Sequence, residues 1–169
     1  PQTTLGDRAI NAGFDYLIAP NVIELEDGLK IHSLQLGPSS AYLIESESGL
    51  VLVDAGVPEL DRVILAYLKK IGRDDLRLIY ITHAHLDHYG SAEALRQATG
   101  AQITVQAEDA AVMAAGETRL GTIRDWETVS DFALPTIEQW LSVLQPTPPD
   151  FLVRDGDRLD DFGIDAYVL

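Results

Sequence analysis

The sequence predicts a layered α/β fold, and three patterns lead to that prediction. The chain opens with short apolar stretches of strand length that are separated by turn residues. After residue 50, segments of strand character alternate with segments of helical period. The segments LVLV and LRLIYI are apolar at nearly every position, which is typical of strands buried on both faces of a sheet. This alternation favours a sheet covered by helices.

Two strand pairs are predicted between residues 21 and 56. In the first pair, two strands flank Asp27-Gly28, a dipeptide that favours the tight turn of a hairpin. In the second pair, the strands AYLIES and LVLVDAG are separated by the turn-like residues ESG. The first twenty residues show no clear period and are expected to lie over the surface of the domain.

Helices are predicted to alternate with strands in the next part of the chain. One helix is expected to open at Pro58, because apolar residues then recur at three- and four-residue steps until Gly72. A second is expected to be capped by Ser91 and ended by Gly100. The strand AQITVQA and the helix EDAAVMAAG follow. Residues 116–149 then break the alternation with two helical stretches divided at Pro135, before strands return from residue 151.

Composition limits the classes of function. The chain has 12 Lys and Arg against 27 Asp and Glu, a formal net charge of -15 that repels phosphate backbones, so no nucleic-acid partner is expected. Cysteine is absent, so a metal would have to be bound by imidazole and carboxylate groups. No apolar run reaches the ~20 residues of a membrane helix, and no leader-like pattern is visible. A cytoplasmic protein without membrane partners is expected, and a homo-oligomer stays open.

Three of the four histidines lie in the window 83–88, which reads HAHLDH. Imidazoles this close repel one another when protonated, and burying them unpaired costs free energy. A divalent cation removes the conflict, because neutral imidazole nitrogens and carboxylate oxygens are its ligands. On an extended backbone His83 and His85 point the same way and can bind one ion. Asp87 and His88 face elsewhere and suit a second ion, so all four are predicted metal ligands.

These residues carry a family resemblance. THAHLDH resembles the H-x-H-x-D-H signature of the metallo-β-lactamase superfamily, and LVDAG is similar to the aspartate motif that precedes it. The resemblance spans roughly residues 22–169 and implies one domain over residues 1–169, an αββα sandwich of two similar halves with metals at one sheet edge. It also implies that His83 and His85 hold the first metal and Asp87 and His88 the second. Asp54 would orient the ligand loop, with a plain turn residue as the alternative.

Two departures from the family pattern stand out. Gly90-Ser91 follows the motif where the family often has Gly-Gly. In the family, a third histidine for the first metal, a bridging aspartate and a last histidine lie downstream, whereas this sequence has no histidine after His88. We therefore expect the natural polypeptide to continue past Leu169 into a histidine-rich turn. The 169-residue piece alone is expected to bind metal weakly and to be inactive.

The completed site is predicted to be that of a hydrolase. Two divalent ions that shared a water would lower its pKa towards about 7 and so supply hydroxide for attack on a carbonyl group. Asp87 is the predicted catalytic residue, because it would hold the second metal and orient the nucleophile or take its proton. Zinc is the first expectation for both ions, since imidazole and carboxylate suit it, and iron and manganese are the alternatives.

The expected substrate is a small carbonyl compound, namely an ester, thioester, lactone or lactam. A phosphodiester is disfavoured by the net charge of -15. Residues 116–149 could form a helical lid in which Trp126, Phe132 and Trp140 line a pocket for an apolar acyl group, or could simply cover the sheet. Two other classes stay open: a di-iron oxygen or nitric oxide reductase with a flavin partner domain, and a non-catalytic scaffold.

Overall fold

The computed structural model describes residues 20–118 and 134–169. These residues form a seven-stranded sheet in which the strands lie side by side in chain order. Together with the helices packed on it, the sheet confirms the predicted α/β class. The strands are β1 (Asn21–Glu24), β2 (Lys30–Leu36), β3 (Ser39–Ser46), β4 (Gly49–Val53), β5 (Leu76–Tyr80), β6 (Gln102–Gln106) and β7 (Phe151–Val153).

The first four strands are antiparallel, as the hairpin pattern predicts. In the turn between β1 and β2, Asp27 Oδ1 accepts a hydrogen bond from the backbone N–H of Leu29 at 3.2 Å. Gly28 has a φ of +82°, a conformation that glycine adopts without steric cost. The predicted turn at Asp27-Gly28 is therefore confirmed.

The strands from β4 to β7 are parallel, and the connections between them contain helices. Because β4 and β5 run in the same direction, their carboxyl ends meet at one edge of the sheet. Residue 54 and the 82–90 segment consequently lie next to each other. The helices are α1 (Asp61–Lys70), α2 (Leu86–Tyr89), α3 (Ala92–Thr99), α4 (Ala107–Ala115) and α5 (Leu134–Val143).

The two faces of the sheet are covered differently. On one face, buried side chains of β2 to β6 pack against α1, α3 and α4 in a large apolar core. On the other face, Leu159, Ile164 and Val168 pack on Val51 and Leu78. The described residues thus contribute one sheet and one helical layer of the four layers that the resemblance implies. None of the helices described is long and apolar enough to cross a membrane.

Helix α1 begins at Asp61, three residues after the start predicted at Pro58. Glu59 explains the difference, because its φ of +73° lies outside the helical region. The chain therefore turns once more after the proline before the first helical hydrogen bonds form. The predicted end is correct, since Gly72 follows the helix with a φ of +75°.

Ser91 does not cap α3, so the predicted role is wrong, although α3 does follow it and ends at Gly100. The Ser91 hydroxyl instead accepts hydrogen bonds from the backbone N–H groups of Leu60 at 2.9 Å and Asp61 at 3.1 Å. It donates to the carbonyl of Val57 at 2.7 Å. Ser91 therefore satisfies free N–H groups at the start of α1, a helix that precedes it in the chain.

Beyond residue 150 the return to strands is only partial. After β7, the chain forms a 3-10 turn over Asp160–Phe162 and a single bridge between Arg158 and Tyr167. Local hydrogen bonds compete with a longer ladder here, because the N–H of Gly163 is bonded to Asp160 within the turn. Helix α5 begins one residue before Pro135, the position at which the sequence divides the helical region.

Candidate metal centre

The four predicted ligands lie in the loop and short helix that follow β5, beside the end of β4. The backbone N–H of Asp54 is bonded to the carbonyl of Tyr80 at 2.8 Å, which joins the ends of the two strands. The N–H of Ala55 is bonded to the carbonyl of His88 at 2.6 Å. These contacts fix the ligand loop, which we define as residues 82–90, against the segment that carries Asp54.

Asp54 is almost completely buried, with 4% of its surface exposed. Its Oδ1 accepts the backbone N–H of Thr82 at 2.9 Å, and its Oδ2 lies 2.8 Å from Nδ1 of His88. The Thr82 hydroxyl lies 3.0 Å from Oδ1 and 2.9 Å from Oδ2. The backbone φ of +62° is unusual for a residue other than glycine and costs about 1–3 kcal/mol. The buried carboxylate therefore connects the ligand loop to the end of β4.

His83 and His85 form the first pair of candidate ligands. Nε2 of His83 lies 2.9 Å from Nδ1 of His85, and the ring centroids are 4.4 Å apart. Two nitrogens bound to one tetrahedral zinc at about 2.0–2.1 Å would be about 3.3 Å apart. The two nitrogens thus form a hydrogen bond with each other, at a separation about 0.4 Å shorter than a shared ion would impose.

Asp87 and His88 form the second pair. Nε2 of His88 lies 3.7 Å from Oδ2 of Asp87, and Nδ1 of His88 is already engaged by Asp54. The hydroxyl of Ser39, at the start of β3, donates a hydrogen bond to the backbone carbonyl of Asp87. The short helix α2 therefore presents a carboxylate and an imidazole together, and both remain partly open to solvent.

The electrostatics of the loop differ between two of its histidines. Burial lowers the pKa of His83, and the nearby imidazoles of His88 and His85 lower it further. The hydrogen bond to Asp54 raises the pKa of His88, against the opposing effect of burial. His83 is therefore favoured in the neutral form that binds metals, whereas His88 is held by an anionic partner.

The donor set fits a divalent metal in its chemistry and in the spacing of His83 and His85. Within residues 20–118 and 134–169, no three side chains of His, Asp or Glu are grouped so that they could hold one ion. The described ligands come in pairs, and a complete coordination sphere needs further donors. The fourth histidine lies elsewhere: His32 on β2 is buried and bonded to Tyr67 at 2.7 Å and Glu45 at 3.0 Å.

Several hydroxyl groups that hold the ligand loop were not predicted from the sequence. The backbone N–H of Leu86 is bonded to the hydroxyl of Thr118 at 2.9 Å, and the hydroxyl of Tyr89 donates to the carbonyl of Glu117. Thr82 was the one with a sequence signal, because it directly precedes the first histidine of the motif. Thr118 and Ser39 approach the loop only through tertiary packing.

The predicted lid region is described only in part. Trp126 and Phe132 lie outside the described residues. Trp140, on α5, is partly buried and packs against the apolar core on the helical face of the sheet. That position suits the alternative in which this helix covers the sheet, and the pocket role of the three aromatic residues stays a prediction.

Solved structures of β-lactamases have the same fold as this chain. The chain superposes on a β-lactamase from Chitinophaga pinensis with a TM-score of 0.58 and 27% identity, covering 82% of this chain and 47% of that one. It superposes on BJP-1, a subclass B3 metallo-β-lactamase of Bradyrhizobium japonicum, with a TM-score of 0.57 and 25% identity, covering 82% and 47%. This chain therefore spans about half the length of these structural relatives.

Two sequence comparisons agree with the structural ones. The uncharacterized protein YobT of Bacillus subtilis (strain 168) is 39% identical over 62 residues, which are 37% of this chain and 26% of that protein. The family model described as the metallo-beta-lactamase superfamily matches residues 34–168. That match covers most of the chain, including Asp54 and the entire ligand loop. The chain therefore belongs to the metallo-β-lactamase superfamily.

Proposed function

We propose that this chain carries the ligand loop of a metal-dependent hydrolase. In this proposal His83 and His85 hold one divalent ion, and Asp87 and His88 hold a second. The observation that carries it is the gathering of these four side chains at the carboxyl ends of β4 and β5, where a buried carboxylate, Asp54, engages the loop. Membership in the superfamily and the likeness to two β-lactamases support a hydrolytic reaction.

Each side chain has a separate task in the proposed reaction. Bound divalent ions would supply an acidified water and polarise a carbonyl group. The His83–His85 pair would fix the position of the first ion, because the two nitrogens already face each other at 2.9 Å. The carboxylate of Asp87, with 30% of its side chain exposed, is open enough to orient a nucleophile or take its proton. Asp54 is too buried to contact substrate and acts on the orientation of the loop.

We propose zinc as the metal and a small ester, thioester, lactone or lactam as the substrate. Imidazole and carboxylate donors suit zinc, and with no cysteine in the chain they are the donors it offers. The excess of acidic residues, 27 against 12 basic ones, supports neutral carbonyl substrates over phosphodiesters.

Metal analysis of the natural gene product that contains this chain, followed by a substrate panel, tests the proposal. The protein is freed of metal, reloaded separately with zinc, manganese or ferrous ion, and assayed on one ester, thioester, lactone and lactam. The double variant His83→Ala/His85→Ala should lose metal from one site and lower turnover by at least about 100-fold. The expected wild-type stoichiometry is two ions for each chain.

A control variant distinguishes metal bound at the ligand loop from metal bound by any histidine of the chain. His32→Gln removes the histidine outside the ligand loop, and circular dichroism checks that this variant is folded. It should retain two ions and near wild-type turnover. Bound iron with a flavin chromophore would instead indicate a reductase, and metal binding without turnover on any substrate would indicate a scaffold; either result would overturn the proposed function.

A further inference from the structure

Thr82 lies between Asp54 and His83, and its hydroxyl contacts both. Its Oγ1 lies 2.9 and 3.0 Å from the two carboxylate oxygens of Asp54. The same atom lies 3.0 Å from Nδ1 of His83. A hydroxyl has one proton to donate and lone pairs with which to accept, so Thr82 can donate to only one of its two partners and must accept from the other.

The carboxylate determines the direction. An ionised carboxylate only accepts hydrogen bonds, so the Thr82 hydroxyl must donate its proton to Asp54. Its oxygen can then only accept from His83, which requires the proton of that imidazole to be on Nδ1. The reverse arrangement would leave oxygen lone pairs of Thr82 and Asp54 facing each other at about 2.9 Å. Nε2 of His83 therefore carries the lone pair, which accepts a hydrogen bond from Nδ1 of His85 at 2.9 Å.

The same carboxylate acts directly on His88. Nδ1 of His88 lies 2.8 Å from Oδ2 of Asp54 and must donate to it. The free lone pair of the neutral ring is then also on Nε2, which faces Asp87. One buried carboxylate thus sets the tautomer of one histidine in each pair, directly for His88 and through a hydroxyl for His83.

We propose that Thr82 is a positioning residue that transmits the hydrogen-bond direction of Asp54 to His83, so that both His83 and His88 present Nε2 to their metals. Only the metal-binding part of this inference rests on the proposed function. The tautomers of His83 and His88 are a property of the metal-free protein. In this arrangement Thr82 acts only on a ligand of the first ion, whereas Asp54 acts on one ligand of each ion. Metal ligands held by such partners lose about 10–100-fold in affinity when the partner is removed.

Thr82 can be tested without disturbing the core, because its side chain is at the exposed edge of the sheet. Thr82→Val keeps the shape and removes the hydroxyl, and Thr82→Ser keeps the hydroxyl. The natural gene product is labelled with ¹⁵N-histidine, freed of metal, and studied by long-range ¹H–¹⁵N correlation at a pH where the imidazoles are neutral. His83→Gln identifies the His83 signals.

In the wild type and in Thr82→Ser, His83 and His88 should both have the proton on Nδ1. In Thr82→Val, His83 should shift towards the Nε2-protonated form that free histidine prefers, while His88 stays unchanged. A wild-type His83 that is protonated on Nε2, or a His83 signal that Thr82→Val leaves unchanged, would overturn the inference.

Chelator competition supplies the second readout. Thr82→Val should weaken the first zinc by about 10–100-fold, leave the second near wild type, and be rescued in Thr82→Ser. Equal weakening of both ions would contradict a role specific to His83. A wild-type protein that binds no zinc while showing the expected tautomers would defeat the proposed function and leave the hydrogen-bond assignment intact.

Discussion

Gly90, two residues after His88, lets the ligand loop approach the segment that precedes α1. A Cβ atom at this position would lie 2.4 Å from Cδ of Pro58 and 2.5 Å from the carbonyl oxygen of Leu86, closer than non-bonded atoms approach. Its φ of -55° is one that any residue adopts. Space, and not backbone conformation, therefore requires glycine at the first position of the Gly90-Ser91 pair.

Replacing Gly90 with alanine should lower the free energy of unfolding by about 1–3 kcal/mol, because the added methyl group overlaps Pro58. Helix propensity alone predicts the opposite sign, a gain of up to about 1 kcal/mol. Urea denaturation measures the difference. Gly72→Asn is the control, since a side chain there meets nothing within 4 Å and asparagine tolerates the positive φ. A Gly90→Ala protein as stable as the wild type would contradict the close approach.

At the scale of elements, Ser91 joins the beginnings of two helices, one starting at Asp61 and the other at Ala92, 31 residues later in the chain. The residue is fully buried, and its hydroxyl bonds two N–H groups at the start of α1 and the carbonyl of Val57. The serine directly follows Gly90 at the end of the ligand loop. A change at this position therefore affects the start of α1 and, through the chain, the position of the loop.

The Ser91→Ala variant should lose about 1–2 kcal/mol of unfolding free energy, which is the usual effect of removing a helix cap. For a chain of this size the melting temperature should fall by about 2–8 °C. Thermal unfolding followed by circular dichroism measures the shift. Ser142→Ala, which removes an exposed hydroxyl bonded within α5, should change stability by less than about 0.5 kcal/mol. Equal effects of the two substitutions would refute the capping role.

At the scale of the whole molecule, the 169 residues of this chain contribute a net charge of -15, which acts on every ligand that approaches. The potential of so many carboxylates extends about 30 Å at an ionic strength of 0.01 M and about 3 Å at 1 M. It attracts cations and repels anions before any contact forms. Metal uptake and substrate entry are therefore expected to depend on salt in opposite directions.

With the metal-loaded gene product, kcat/KM for an anionic ester should rise when the ionic strength is raised, because salt screens the repulsion that slows association. A neutral ester with the same acyl group is the matched control, and its kcat/KM should stay constant. Steady-state assays between about 0.01 and 0.5 M salt provide the comparison. A value for the anionic ester that falls with salt would mean that a local positive patch outweighs the overall charge.

The sequence predicted features that depend on neighbouring residues. The turn at Asp27-Gly28 and the extent of most helices and strands follow from local period and turn chemistry, and the ligands of the 83–88 window are adjacent in the chain. The hydroxyls of Ser39 and Thr118 were missed, because each meets the ligand loop across more than thirty residues and only the packed fold brings them together. The start of α1 was misplaced since the positive φ of Glu59 has no signature in composition.

The segment that follows β7 has a consequence for biosynthesis. Val51 and Leu78 are covered by residues that are more than eighty positions later in the chain, Leu159 and Val168 among them. Until those later residues have been synthesised, this face of the early strands exposes apolar side chains to solvent. Nascent chains in that interval are prone to aggregate and are natural clients of chaperones, so slower translation of the last stretch should lower the yield of correctly assembled protein.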